Sequence, residues 1–192
     1  MAEPRRRLMT PEEFFAWQER QEERYELVDG IPVPLRGMTG ASNAHDAVAV
    51  NVIINLGNQL RGGPCRVATA DTAVRTTIRG IRRPDVTVEC APIDRQSYEA
   101  HAPRLVVEVL SPSTRNLDRI RKLEEYKRLP TLGLIMFIEP GVPQVLLLRR
   151  EGQGEWRDEA FTGLEAVVPL PELGASLALR DIYEGVPLDE IS

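Results

Sequence analysis

Pro103-Arg-Leu-Val-Val-Glu-Val-Leu-Ser-Pro-Ser-Thr114 is the stretch on which the fold turns. Leu105, Val106, Val107, Val109 and Leu110 form a nearly unbroken β-branched and aliphatic run, the pattern of a strand covered on both faces. Glu108 interrupts it. An unpaired buried charge costs roughly several kcal/mol, so a cation, a basic side chain or a proton must accompany this one. Side chains alternate along a strand, which puts Glu108 on the same face as Val106 and Leu110. One face of an apolar strand therefore carries a negative spot, and the question is which other groups converge on it.

Downstream, Ser111-Pro-Ser-Thr114 is turn and helix-cap chemistry, and Asn116 to Arg128 reads as a charged amphipathic helix with Leu117, Ile120, Leu123 and Leu129 inward. Strands follow at Leu134 to Ile138 and Gln144 to Arg149, and the remainder reads as short strands and turns. Upstream, Pro84-Asp-Val-Thr-Val-Glu-Cys90 is a strand, preceded by strands at Cys65 to Ala70 and Ala73 to Ile78, with Gly80 as a turn. Ser42 to Leu60 is the longest helical pattern, with Ala41, Ala44, Val48, Val52, Leu56 and Gln59/Leu60 recurring at helical spacing and Gly62-Gly63-Pro64 ending it. Tyr25-Glu-Leu-Val-Asp-Gly30 and Ile31 to Leu35 make a hairpin turning at Asp29-Gly30. Thr10-Pro-Glu-Glu13 starts a helix running to about Glu23, with Thr10 as cap, Pro11 at the first position and Glu13 completing a capping box. Residues 1–9 read as a flexible basic tail and residues 10–192 as a single domain. The order of elements is an α/β (α+β) arrangement, a mixed sheet flanked by helices.

The composition is that of a globular protein, 42% hydrophobic and 28% charged, with a net charge of −5. That charge argues against coating nucleic acid through bulk attraction and leaves room for a local basic patch. No apolar run has the length of a membrane span and no apolar segment follows Arg5 to Arg7, so neither membrane insertion nor a secretory signal is expected. Cys65 and Cys90 read as free buried thiols in a reducing cytoplasm.

Asp85 opens the strand before that of Glu108, and consecutive strands are usually neighbours. Two carboxylates from adjacent strands make a hard-oxygen site suited to Mg²⁺, to which the Val109 carbonyl could add a ligand; Asp85 reads equally well as a turn residue. Lys122 shares a helix face with Asp118 and Tyr126, and its bland reading is a surface pair with Asp118 worth ~0.3–0.5 kcal/mol. Glu26 lies opposite Tyr25 and Leu27 in its strand, where most glutamates are solvated. His45 falls in the first turn of the long helix, and with only His101 besides it a zinc site is not expected. Arg82 and Arg83 precede the Pro-Asp pair, and Arg115, Arg119, Arg121, Lys127 and Arg128 crowd the later helix. Such a run is either a solvated face or a phosphate-binding footprint.

Pro84-Asp85-Val86, Leu105-Val-Val-Glu108-Val-Leu-Ser-Pro-Ser-Thr114 and Asp118-Arg-Ile-Arg-Lys122-Leu-Glu-Glu-Tyr126 together resemble the bacterial Uma-two family, grouped as restriction endonucleases with the PD-(D/E)-x-K nuclease superfamily. The likeness extends to Tyr25-Glu-Leu-Val-Asp-Gly30 and to Leu170-Pro-Glu-Leu-Gly-Ala-Ser-Leu-Ala-Leu179, and so covers nearly the whole chain. It implies a restriction-endonuclease-like fold with Asp85 and Glu108 as metal ligands for Mg²⁺ or Mn²⁺. In the wider superfamily the lysine stands two residues after the second acid, which here is Leu110. The family pattern resembles one in which it has moved to the next helix, which makes Lys122 the catalytic lysine. Glu26 and His45 match an acid and a histidine of the same pattern. One departure is Leu134-Ile-Met-Phe-Ile-Glu-Pro140, where the family commonly has an aromatic-rich strand ending in Asp-Pro.

The expected activity is hydrolysis of DNA, double-stranded by expectation, in a cytoplasmic homodimer. Asp85, Glu108 and Val109 would hold the metal, Lys122 would assist the attacking water, and Glu26 would position a water or a second ion. His45, Arg83, Arg115, Arg119 and Tyr126 form the expected substrate-facing set. Two rival readings remain: a catalytically silent dimeric module that binds nucleic acid or protein, and a purely structural Glu108–Lys122 ion pair.

Overall fold

Residues 7–35, 42–110, 116–152 and 154–189 are described by the computed structural model of the chain. Its elements are α1 (Pro11–Gln18), β1 (Tyr25–Val28), β2 (Ile31–Pro34), α2 (Asn43–Leu60), β3 (Arg66–Thr69), β4 (Val74–Thr77), β5 (Gly80–Arg82), β6 (Val86–Glu89), β7 (Pro103–Val109), α3 (Asn116–Lys127), β8 (Leu134–Glu139), β9 (Gln144–Glu151), β10 (Glu155–Thr162), β11 (Val167–Leu170), β12 (Ala175–Ala178) and α4 (Leu179–Ile182). The fold is mixed α and β, a multi-stranded mixed sheet flanked by helices, as expected.

The Glu108 strand, β7, is interior to a six-stranded sheet of order β10-β9-β8-β7-β6-β3. Its one parallel pair is β7 with β8, joined by the crossover helix α3; β6 and β7 are antiparallel, as are the remaining pairs. α2 covers one face. Its buried stripe Val48, Val52, Leu56 and Leu60 packs with Val86, Val88, Leu105, Val107, Val109, Met136 and Ile138, and the β11–β12 ribbon and α4 join this core. On the other face Val106, Ile135 and Phe137 pack with Tyr126 and Leu132. Burial on both faces is why β7 reads as an unbroken apolar run.

A second sheet, of order β2-β1-β5-β4, lies under α1, with Phe14, Leu27, Ala73 and Ile81 at its core. The β1–β2 hairpin turns at Asp29 and Gly30, both at positive φ, the signature of a type I′ turn. The capping box of α1 is formed, Thr10 accepting from the Glu13 amide and Glu13 from the Thr10 amide. The helix ends at Gln18, one turn short of the expected Glu23. Residues 7–9 are no loose tail, because the Met9 amide donates to the Gly30 carbonyl at 2.8 Å and Arg7 pairs with Glu13.

Two further expectations are corrected. Cys65 and Cys90 are joined in a disulfide rather than free. β3 pairs with β6 through Arg66↔Glu89, and one further step of that register brings the two cysteines face to face. The cysteines therefore lend no support to a reducing compartment. Ile120 is 58% exposed rather than inward. The face of α3 that meets the sheets carries Lys122, Leu123, Glu125 and Tyr126, because acidic and basic partners wait for it there. Among the described residues no helix is long and apolar enough to cross a membrane.

Candidate active site

Asp85 and Glu108 meet at one end of the β6–β7 pair. The register runs Thr87↔Val106 and Val86↔Val107, so the next step sets Asp85 opposite Glu108. Alternation gives Asp85 and Glu108 the same face as Thr87 and Val106, the face covered by α3. Asp85 accepts a hydrogen bond from the Val109 amide at 2.7 Å, which ties it to the end of β7. From the other side comes α2, whose first turn is fixed by Ser42 accepting from the His45 amide at 3.2 Å. The His45 Nε2 lies 3.5 Å from the Asp85 Oδ2, and this carboxylate raises the affinity of the imidazole for a proton, with the Val109 backbone adding to the effect.

α3 delivers the basic partner. Lys122 Nζ stands 3.3–3.4 Å from both oxygens of Glu108 and 3.3 Å from Glu26 Oε1, with only 12% of its side chain exposed. One turn on, Tyr126 is fully buried, and its hydroxyl donates to Glu108 Oε1 at 2.6 Å. Burial and the Glu108 charge hold the phenol well above its ordinary range, so it remains a donor. Burial is also the largest influence on Glu108. Lys122 and Tyr126 favour its ionised form, but Asp85 and Glu26 repel it, and the carboxyl is pushed up to about 7. Lys122, drawn by Glu108 and Glu26 together, is held firmly protonated despite its burial. The two effects agree: several carboxylates share one ammonium, so the ammonium gains and the carboxylates remain under-compensated.

The same sheet supplies a contrast. Glu89 on β6 is fully buried, yet it is answered by Arg66 and by the His101 and Ala102 amides at 2.5 and 3.2 Å. That acid is paid in full by the chain's own donors. Glu108 is not.

Glu26 belongs to this cluster and is buried rather than solvated. Its Oε2 accepts from Arg82 at 2.9 Å and its Oε1 from the Arg83 amide at 3.0 Å, so both oxygens face donors of the chain itself. Arg83 does not face a substrate: its guanidinium is buried and donates to the carbonyls of Tyr25, Ala70 and Asp71. Tyr126 likewise has no open surface. Arg119 lies with its guanidinium 4.8 Å over the ring of Phe137, the residue paired with Glu108 across β7 and β8, and so borders the acidic cluster. Arg115 falls outside the described residues. Arg121 is engaged by Asp29 and Glu125. The surface pairing of Lys122 with Asp118 gives way to tertiary partners, Asp118 lying 3.4 Å from Arg82.

Arg82 is the residue that sequence reasoning passed over. Pattern could not single it out, since Arg82-Arg83 looks like any basic dipeptide. For Lys122 a signal was available: the chain has two lysines, Lys122 and Lys127, and its other basic residues are arginines.

Asp85 and Glu108 suit a hard divalent cation as adjacent, partly buried oxygen donors with negative charge in excess of their partners. Among the described residues no three carboxylate, imidazole or thiol groups are gathered closely enough to cage an ion by themselves. Such a pair fits the habit of Mg²⁺, which takes one or two carboxylates and fills its shell with water and phosphate.

A family model described as "Putative restriction endonuclease" (Uma2, the Uma-two family) matches residues 11–180. The "Uncharacterized protein slr1290" of Synechocystis sp. is 32% identical over 180 residues, 93% of each chain. The crystal structure of "a putative nuclease belonging to DUF820" from Anabaena variabilis superposes with a TM-score of 0.71 over 91% of this chain and 97% of that one, at 18% identity, a likeness of fold.

Proposed function

The chain belongs to the Uma2 family, the family described as "Putative restriction endonuclease", and from that premise we propose that it is a divalent-cation-dependent endonuclease hydrolysing phosphodiester bonds of DNA. The observation that carries this reading is the acidic excess around one amine. Glu26 and Glu108 converge on Lys122, and burial, with repulsion from Asp85 and Glu26, pushes the Glu108 carboxyl up to about 7.

In this reading Asp85 and Glu108, with the Val109 carbonyl, hold Mg²⁺ or Mn²⁺. Such an ion supplies a water acidified toward neutral pH and polarisation of the scissile phosphate. Tyr126, donating to one Glu108 oxygen, fixes the carboxylate rotamer so that the other oxygen faces the site. Lys122 orients the attacking water and offers its charge to the phosphorane-like transition state, where a preorganised donor acts more strongly than in water. His45 holds Asp85 from the α2 side. Arg119, at the rim, is the described arginine best set to meet a phosphate. In this reading the active unit is a homodimer, since a symmetric pair would present one such site to each strand of a duplex.

The test is plasmid nicking by the purified chain in Mn²⁺ or Mg²⁺. Asp85→Asn, Glu108→Gln and Lys122→Gln should each lower the rate by ~10²-fold or more while circular dichroism stays that of the wild type. A wild type that nicks no DNA in either metal, or three variants that all nick at its rate, would defeat the proposal. Calorimetry with Mn²⁺ separates the binding-module alternative, which predicts no heat that depends on Asp85 and Glu108.

A further inference from the structure

Arg82 is 1% exposed, among the most deeply buried charged side chains described, and lies three residues before Asp85. Its guanidinium donates through Nε and Nη2 to both oxygens of Glu125, each at 2.8 Å, and through Nη1 to Glu26 at 2.9 Å. Thr76 adds a 2.8 Å bond to Glu125. One planar fork thus joins β5, which leads into the Pro84-Asp85 corner, to the β1–β2 hairpin and to α3. A lysine, a compact point charge without the planar fork, would not reproduce the two-pronged bond to Glu125 together with the bond to Glu26.

The consequence falls on Lys122. Glu125 stands three residues after it on α3, and Glu26 is held by Arg82 on one oxygen and by the Arg83 amide on the other. The ammonium lies 3.3–3.4 Å from its partners, beyond the 2.7–2.9 Å of a fully formed charge-assisted hydrogen bond, and is divided between Glu108 and Glu26. Of these, Glu108 is the carboxylate that a divalent cation would claim, and a cation there repels the amine. Glu26, held by these two donors, is not free to follow or turn away.

We infer that Glu26, locked by Arg82, is the anchor that keeps the Lys122 amine in the site when Glu108 is occupied, which makes Arg82 and Glu26 positioning residues. The role of the cation rests on the nuclease reading above; the anchoring of the amine can be measured without it. Glu26 then acts through Lys122 and binds no ion of its own.

The scarcity of lysine makes the measurement clean, because Lys122 and Lys127 are the only side-chain amines. Reductive methylation, counted by mass spectrometry at each lysine, reports exposure of the amine in the full chain. In the wild type, Lys122 should react at least tenfold more slowly than Lys127. Glu108→Gln, which removes the first partner without any metal, should leave Lys122 protected. The Glu26→Gln/Glu108→Gln double variant should bring it to within threefold of Lys127. Arg82→Lys, combined with Glu108→Gln, should expose it likewise, and it serves if the first double variant does not fold. With Mn²⁺ present, Glu26→Gln alone should release Lys122, keep Mn²⁺ affinity within about threefold of wild type by calorimetry, and lower kcat for nicking tenfold or more at unchanged KM. Release of Lys122 by Glu108→Gln alone overturns the anchor, as does continued protection in both double variants or a hundredfold loss of Mn²⁺ affinity in Glu26→Gln. A wild type that neither binds Mn²⁺ nor nicks DNA removes the nuclease reading and leaves the metal-free labelling to decide the anchor.

Discussion

Replacing Glu108 by glutamine should stabilise the protein at alkaline pH in EDTA, although it deletes a buried ion pair. Burial, with repulsion from Asp85 and Glu26, outweighs Lys122 and Tyr126 and pushes the carboxyl from its ordinary 4.5 up to about 7. At roughly 1.4 kcal/mol for each pH unit, the ionised form carries a penalty of about 3 kcal/mol in the fold. The side chain is only 12% exposed, so solvent screening removes little of it. A carboxyl whose folded pKa is raised binds its proton more tightly folded than unfolded. Its contribution is therefore most favourable below about pH 4.5, falls as pH rises through 4.5 to 7, and stays lost above. Glutamine copies the protonated shape at every pH. Wild type and Glu108→Gln should melt together near pH 4, and at pH 8 the variant should be more stable by ~1–3 kcal/mol, or about 3–10 °C for a chain of this size. Calorimetric or urea melts in EDTA at the two pH values measure this. With Mn²⁺ at a hundredfold its Kd the wild type alone should gain ~2.7 kcal/mol. A variant less stable than wild type at pH 8 in EDTA would refute the reasoning, because Glu108 and Lys122 would then be a compensated structural pair.

The Cys65–Cys90 disulfide, across a sequence separation of 25, should contribute about 3 kcal/mol; Cys65→Ser, or a strong reductant, should lower the urea midpoint accordingly, and an unchanged midpoint would mean that the bond does not constrain the unfolded chain. Leu56→Ala, at a fully buried position where α2 meets the six-stranded sheet, should cost ~2–5 kcal/mol. A loss under 1 kcal/mol in the same melts would show that α2 is not packed there.

The residues closest to one another in sequence were the easiest to read. The capping box at Thr10, the Asp29-Gly30 turn, the stripe of α2 and the two-faced apolar run of β7 each follow from period and cap chemistry within a few residues. Glu108 could be recognised as anomalous on the same ground, since a carboxylate in such a run demands a partner. Asp85 followed because β6 and β7 are consecutive strands and pair directly. Ile120 misled because a helix that meets an acidic cluster turns its basic and phenolic side inward, against its apolar pattern.

By itself, then, the sequence determined the local elements, the burial of the central strand and the presence of a carboxylate there that its neighbours could not satisfy. Tertiary structure alone decided which distant segments meet: β3 with β6, which closes the disulfide, and β1 with β5, which brings Glu26 to Arg82. These pairings skip intervening strands, and no periodicity records them. The fate of Arg82 is the sharpest instance. A guanidinium is left in water or buried according to whether carboxylates from other elements reach it, and here those acids lie 56 and 43 residues away along the chain.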